Sequence, residues 1–350
     1  MMKVFTRIFA LVLLLAVMDF AYAQDKHFSQ FYAAPLELNP AMTGNINGAY
    51  RGSVIYRNQY ASIPAPYSTV AASFDAAVLR CKLGNSHLGA GLSLYNDRAG
   101  DAVYNTTAVS GSLAYHLGIG DAFGISLGGQ AGFIQKGLNT DALLFESQIN
   151  EQFELDPTLP SMEMFANEQF NYIDYSAGGL VTASPSQNIN FYLGGAYIHA
   201  GQPGEAFLDE SNLAAPERNK LDPRLVFHGG GSVFFNDQFS ISPSVIYQSQ
   251  AGAQEVVAGA ALGYHFDQGG RYRGAPSSGI YVGGWYRLSG EIIALVGVDY
   301  QDFRFGFTYD VTVSDLAVAN LNQGAVELSL TWIGAGPECQ KKTNLYCPRF

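Results

Sequence analysis

Between Asp302 and Val313 the chain alternates strictly. Phe303, Phe305, Phe307, Tyr309, Val311 and Val313 are apolar, while Asp302, Arg304, Gly306, Thr308, Asp310 and Thr312 are polar or small. A period of two is that of a β-strand, whose successive side chains point to opposite faces. The pattern recurs and predicts fourteen strands, near residues 51–60, 67–77, 87–95, 102–116, 122–134, 172–183, 188–199, 225–235, 238–250, 253–266, 278–288, 291–300, 302–313 and 323–333. Several are clean. Val70, Ala72, Phe74 and Ala76 oppose Thr69, Ala71, Ser73 and Asp75; Phe123, Ile125 and Leu127 oppose Gly124, Ser126 and Gly128; Val326, Leu328, Leu330 and Trp332 oppose Glu327, Ser329 and Thr331. Most segments reach about ten residues, the length a tilted strand needs to cross a bilayer.

Connections are mostly short, so neighbouring strands pair antiparallel. An open sheet this wide would expose edges, and in lipid an edge has no hydrogen-bond partner. The expected fold class is therefore all-β: a transmembrane outer-membrane β-barrel of about 14 antiparallel strands over residues 49–334, with its aromatic faces toward lipid. With both termini periplasmic, the longest connections, near 135–171 and 200–224, fall outside, and the fourth, sixth, eighth and twelfth, all short, fall inside. Outer-membrane barrels show that asymmetry. The tenth ("DQGGRYRGAPSS") and eleventh ("LSG") connections break it. Tyr115, Tyr264 and Phe266 are placed in an aromatic girdle at headgroup level. Gly124, Gly128, Gly132, Gly259 and Gly263 face the lumen and leave room there for side chains or a plug.

Composition agrees. The chain has 350 residues, 48% hydrophobic and 14% charged, against about 25% charged in ordinary soluble domains. Lys3 and Arg7, the apolar run over residues 8–17 and Ala21-Tyr22-Ala23 form a secretory signal, with cleavage expected between Ala23 and Gln24. Past it, no apolar run has the length of a membrane-crossing helix. The expected organisation is a signal peptide over 1–23, an N-terminal periplasmic segment over 24–48, the barrel, and a periplasmic tail over 335–350. No cysteine stands at the cleavage point, which argues against a lipoprotein. A net charge of −11 argues against nucleic-acid binding, which needs a basic patch.

Candidate chemistry is sparse. Residues 124–128 match G-x-S-x-G, but inside an alternating strand and not at the strand-to-helix turn a nucleophile elbow requires. His27, His87, His116, His199, His228 and His265 show no metal-ligand spacing. No catalytic, cofactor-binding or metal residue is assigned and no cofactor is expected, although a fold can still bring a Ser, a His and an acid together across strands. Cys81 lies in the second predicted connection and Cys339 and Cys347 in the tail. Cys339 with Cys347 is the preferred disulfide, pairing of Cys81 with either is the alternative, and the odd count leaves one cysteine over.

The fifth connection is acidic (Asp141, Glu146, Glu151, Glu154, Asp156, Glu163, Glu168, against Lys136). The inferred periplasmic side carries Arg80, Lys82, Arg271, Arg273, Lys341, Lys342 and Arg349. Such a field would orient docking; solvated loops are the plainer reading. "NTDALLFESQ" and "SMEMFANEQF" are each expected to form a short helix. Residues 24–48 are too apolar for a free tail (Phe28, Phe31, Tyr32, Leu36, Leu38), and Pro35, Pro40 and "NPAMTG" break any helix. They are expected to pack on the barrel or on a partner, a simple lead-in to the first strand being the alternative. Phe28, Phe31, Tyr32, Asn39 and Pro40, with Arg271 and Arg273, are the candidate partner contacts.

The same region resembles the PorP/SprF family of type IX secretion and gliding-motility proteins from Bacteroidota. The residues that carry the resemblance are Phe28-Ser29-Gln30-Phe31-Tyr32, Pro35, Asn39-Pro40-Ala41, Gly44, Tyr56-Arg57-Asn58-Gln59-Tyr60, "PYSTVAASFDA" and the terminal "CPRF". Tyr60 departs from the Trp more usual there. The resemblance implies a non-enzymatic outer-membrane barrel that helps to export secreted proteins or hold them at the surface. It implies as partners outer-membrane lipid, periplasmic ring or lipoprotein components of the secretion machine, and a large secreted adhesin or its C-terminal domain. Two other functions stay open on the residues alone. One is a channel for a small solute or apolar ligand, since fourteen strands leave a usable lumen. The other is a barrel hydrolase.

Overall fold

The computed structural model describes residues 27–335, apart from 63–65, 101–103, 121, most of 140–167, 187, 206–219, 237 and 267–277. Its strands are β1 (Tyr50–Gln59), β2 (Tyr67–Leu83), β3 (Ser86–Ala99), β4 (Tyr104–Ile119), β5 (Phe123–Leu138), β6 (Gln169–Ser186) and β7 (Ile189–Ile198), followed by β8 (Arg224–Phe234), β9 (Phe239–Gln250), β10 (Ala253–His265), β11 (Gly279–Arg287), β12 (Glu291–Tyr300), β13 (Phe303–Thr312) and β14 (Gln323–Gly334). Each pairs antiparallel with its sequence neighbour, and β1 pairs with β14, from Tyr50 opposite Gly334 to Gln59 opposite Ala325. The barrel is thus closed and presents no sheet edge to lipid.

The alternation resolves into two faces. Phe303, Phe305, Phe307 and Tyr309 point outward, while Thr308, Asp310 and Thr312 are at most 1% exposed. Leu92, Leu113, Leu127 and Leu193 are 64–69% exposed. An apolar belt of that extent is untenable in water and is what a hydrocarbon solvent selects. Arg51, Arg57, Asp75, Glu255, Arg287, Asp310 and Glu327 are buried instead, as strand residues facing the lumen. The molecule is inside-out relative to a soluble barrel, and it is a barrel of the outer membrane.

Where strands differ from the expected bounds, a break in period is the cause. β2 does not stop at residue 77; it continues through Cys81 to Leu83, with a register irregularity between Val78 and Leu83 and a positive φ of 59° at Leu79. A bulge shifts which face each residue meets, so the alternation fails while the strand goes on. Cys81 therefore belongs to β2, and its connection shrinks to Gly84-Asn85, with Gly84 at φ +68°. In the fifth connection a single 3-10 turn at Glu146–Gln148 falls in the first expected helix; "SMEMFANEQF" lies mostly outside the described residues, as do Ala23, Gln24, Arg271, Arg273, Cys339 and Cys347.

Short turns are periplasmic and long loops extracellular in such barrels. The connections after β5 and β7 are the longest and lie at the Gln59 and Gln323 end, so that end is labelled extracellular and the Tyr50 and Gly334 end periplasmic. Leu193 sits at the middle of β7, 68% exposed. Leu193→Arg is expected to destabilise the barrel by about 2–4 kcal/mol, and Leu193→Phe by far less. Denaturant unfolding in lipid vesicles measures both; equal stability of the two variants would place this face away from lipid.

Candidate functional site

The lumen is occupied by the chain itself. Residues 28–46 run down its inside to the start of β1, and Phe28, Phe31, Tyr32, Leu36, Leu38, Ala41, Met42 and Ile46 are all buried. Short pieces make up the path: a 3-10 turn at Phe31–Ala33, one helical turn at Pro35–Leu38 and another 3-10 turn at Pro40–Met42. The two prolines each open a turn, where a missing N–H costs nothing. The Asn39 side chain caps the last turn, its Oδ1 accepting from the Ala41 N–H at 2.9 Å.

At the periplasmic end the segment is bound through its backbone. The Gly44 N–H donates to Asp75 at 2.7 Å, and Arg51 grips the same carboxylate through two bonds of 2.9 and 2.8 Å while donating to the Met42 carbonyl at 3.0 Å. His116 bonds the Thr43 carbonyl at 2.7 Å and His87 the Gly44 carbonyl at 3.0 Å, and the two imidazoles stack at 4.3 Å. Gly44 holds a positive φ of 73° against Gly89, where a Cβ would lie 1.9 Å from the Thr43 carbonyl oxygen. That close approach requires glycine on both chains.

Midway, Asn39 donates to the Gly179 carbonyl at 3.0 Å and contacts His228 at 3.0 Å. The wall there is glycine. A Cβ on Gly178 would lie 2.0 Å from the Asn39 Oδ1, and one on Gly128 would lie 2.4 Å from the Pro40 carbonyl carbon. Phe28, Phe31, Tyr32, Leu38, Ala41 and Met42 of the segment pack in one buried cluster with Ile55, Tyr95, Ile134, Leu180, Tyr192, Val226, Trp285 and Ile293 from around the wall.

At the extracellular end lies a buried charge cluster. Glu327 is fully buried and accepts the N–H groups of Ser29 and Gln30 at 2.7 and 2.8 Å and Arg57 at 2.6 Å. The Ser29 hydroxyl donates to Asp310 at 2.5 Å and accepts from Arg57 at 2.9 Å and Arg287 at 3.0 Å. Arg287 also pairs with Glu291, and with Glu255 at 3.4 Å; Glu255 in turn lies 3.6 Å from His27. Gln30 accepts from Ser329 at 2.7 Å. Both the N–H and the hydroxyl of Ser29 are used, which a shift of the segment by one residue would undo, because the neighbour on one side is Phe28.

The segment expected in the periplasm thus lies in the lumen. Phe28, Phe31, Tyr32, Asn39 and Pro40, read from sequence as partner contacts, face their own barrel wall and are closed to a partner while the segment is seated. Sequence reasoning missed the socket: Arg51, Asp75, His87, His116, Arg57, Arg287, Asp310 and Glu327. The available signal was the charge itself, since an ionisable residue within a membrane-crossing strand points to the interior and seeks a partner there. The Ser126 of the G-x-S-x-G match bonds His116 at 2.7 Å. Both are buried, and the other His116 nitrogen is held by the Thr43 carbonyl, so the pair fastens the segment. Among the described residues no group of three or more His, Cys, Asp or Glu is placed to hold a metal ion.

Two variants test the seating. Arg57→Met removes the guanidinium between two buried carboxylates and is expected to cost about 3–5 kcal/mol, read by denaturant unfolding. Gly128→Leu collides with the Pro40 backbone and should expel the segment. The wild-type chain is expected to resist chymotrypsin at Phe28, Phe31 and Tyr32, and Gly128→Leu to be cut there with its barrel intact; protection in both would show that the segment tolerates the intrusion.

Solved structures similar to this one are outer-membrane barrels. The Ralstonia pickettii toluene transporter TbuX matches at 15% identity over 85% of this chain and 90% of its own, with a TM-score of 0.45. The Pseudomonas putida toluene transporter TodX matches at 10% identity over 88% and 93%, TM-score 0.44. The CymD monoaromatic hydrocarbon channel matches at 12% identity over 87% and 93%, TM-score 0.43. No curated protein sequence matches. The family described as type IX secretion system membrane protein PorP/SprF matches residues 20–332. A match of that extent, on a closed barrel of fourteen strands, identifies the chain as a member of the PorP/SprF family of type IX secretion system outer-membrane proteins.

Proposed function

We propose that this barrel works as a non-enzymatic scaffold of the type IX secretion apparatus, one that binds proteins and does not conduct solutes, and that it helps to export an adhesin-like protein or retain it at the cell surface. The observation that carries this reading is the occupied lumen. A segment locked by buried ion pairs at one mouth and by backbone hydrogen bonds at the other leaves the rims and loops as the surfaces for function. The acidic loop after β5 suits a partner outside the cell. Arg80, which donates to the Gly48 and Ile46 carbonyls, belongs to a basic periplasmic side suited to ring or lipoprotein components of the machine. The C-terminal domain of a large secreted protein is the proposed cargo contact.

One feature favours a channel for an apolar ligand. A cavity lies between the segment and the β8–β10 wall, lined by Phe28, Phe31, Leu38, Val226 and Ile246 with His27, Arg224 and Glu255 beside them. Planar-bilayer conductance separates the two readings. The full chain is expected to be silent, and a chain lacking residues 27–46 to conduct. Affinity purification from native outer membranes in mild detergent should recover secretion components or a large surface protein. Steady conductance by the full chain, purified without partners, would overturn the scaffold reading.

A further inference from the structure

We infer that His228 is a proton-operated lock on the segment: neutral, it accepts a hydrogen bond from Asn39 and lets the segment seat; protonated, it expels Asn39 and frees the middle of the lumen. The hydrogen positions follow from the network. The Asn39 Oδ1 accepts from the Ala41 N–H at 2.9 Å, and the Nδ2 lies 3.0 and 3.3 Å from the carbonyl oxygens of Gly179 and Gly195. A flipped amide would set Oδ1 against two carbonyl oxygens and Nδ2 against an N–H. The Nδ2 is thus a donor, and its contact with His228 Nε2 at 3.0 Å requires that nitrogen to be the acceptor. The imidazole hydrogen therefore sits on Nδ1, and that atom is buried with no hydrogen-bond partner. For stability alone this is a poor arrangement, an unpaired donor set against one acceptor contact.

A second proton has only Nε2 to bind. There an N–H would face an N–H at the present 3.0 Å, and neither group has room to turn aside. A Cβ on Gly194 would lie 2.4 Å from the His228 Nε2 and 2.9 Å from the Asn39 Nδ2, and one on Gly178 would lie 2.0 Å from the Asn39 Oδ1. The wall is reduced to glycine so that these two side chains fit, and they fill it. No counter-ion waits for the charge. Asn39 faces His228 from the segment, Tyr192 and Gly194 from β7, and Ile246 from β9. Tyr192 is the one titratable member of that set, and a phenol is neutral at and below physiological pH. Along β8 the other charged residue is Arg224, itself a cation. Glu37, the one carboxylate of residues 28–46, lines the cavity with Arg224, and Asp174 of β6 is paired with His199 at 2.9 Å. An imidazolium at His228 is buried charge without a partner, so protonation and seating exclude each other.

The other histidines that meet the segment differ. His116 and His87 each direct a ring nitrogen at a carbonyl, of Thr43 and of Gly44, and an imidazolium still donates there. Arg51, Arg80 and the stacked partner ring oppose a second charge at that pair, and Asp75 is already shared by Arg51 and the Gly44 N–H. His27 lies 3.6 Å from Glu255, where a proton is attractive. The acid-sensitive contact is therefore that of His228. With the segment released, His228 meets lumen water and takes a proton near the ordinary imidazole value of about 6.5. The released form then holds one proton more than the seated form below that pH. Seating is fully favoured above it and weakens as pH falls, by about tenfold per unit.

Hydrogen exchange at the amides of residues 28–42 in the full-length barrel, corrected for the intrinsic pH dependence of exchange, reads the seating constant. The comparison is His228→Gln, whose side-chain oxygen accepts from Asn39 and does not titrate. Between pH 7.5 and 4.5 the seating constant of the wild type is expected to fall about 100-fold relative to that of the Gln variant; the responses of His27, His87 and His116 are common to both and cancel in the ratio. A ratio that stays constant over this range would overturn the inference. His228→Lys supplies a permanent cation and is expected to lose protection of the segment already at pH 7.5, in barrels shown to be closed by heat-dependent mobility. Wild-type protection in such barrels would equally overturn it. The inference rests on the seated segment and is independent of which proteins the barrel binds.

Discussion

The structure follows from one constraint. A strand that crosses hydrocarbon cannot leave its backbone N–H and C=O groups unpaired. A sheet meets that demand only when its first and last strands join, and here β1 joins β14 over its whole length. Closing fourteen strands creates a lumen wide enough to need filling. The residues just ahead of β1 fill it. Residue 49 already pairs with both neighbours of β1, its N–H to Gly334 and its carbonyl to Ala77, each at 2.9 Å. The plug thus enters the first strand directly, and a short connection keeps the entropic cost of seating it low.

The seam and the plug are coupled by the same side chains. Arg57 and Glu327 stand opposite each other across the β1–β14 register, and Asp310 lies on the adjoining strand β13. Without the segment, this set is two carboxylates around one guanidinium, with the hydrogen bonds from Ser29 and Gln30 missing. The Ser29 and Gln30 amides complete the shell of Glu327, and the Ser29 hydroxyl donates to one oxygen of Asp310. Buried ion clusters contribute little net stability relative to apolar packing, yet losing one member is severe. Their effect here is on position. The apolar side chains of the segment would tolerate some sliding, whereas the cluster accepts a single register.

Much of this fold was legible in the sequence because alternation is a local signal and lipid leaves it undiluted. Strand ends were lost where locality fails, as at the Leu79 bulge, which hides the last turnward residues of β2. The N-terminal block was recognisable as too apolar to hang free. Its destination was not, because Ser29 meets Glu327 across 298 positions of sequence. Gly128 was readable as making room, and the Pro40 backbone sits against it. Gly178 and Gly194, which receive Asn39, could not be singled out among 39 glycines. Spacing gave no hint that Ser126 would bond His116, since they lie on different strands and are joined only by the β4–β5 register.

The residues that carry the family resemblance take on a physical meaning in this light. Phe28 through Tyr32, Asn39-Pro40-Ala41 and Gly44 are the segment inside the lumen, and Tyr56-Arg57 belongs to the strand that receives its tip. The most recognisable part of the chain is therefore internal. It specifies how the barrel is closed and how deep the segment sits, and it is hidden from any partner while seated. On the scaffold reading, partner choice then falls to the rims and loops around a lumen that the segment occupies. On the proposed reading, a barrel plugged in this way would hold the membrane sealed while large proteins act at its surface, a condition that an open pore of fourteen strands would not meet.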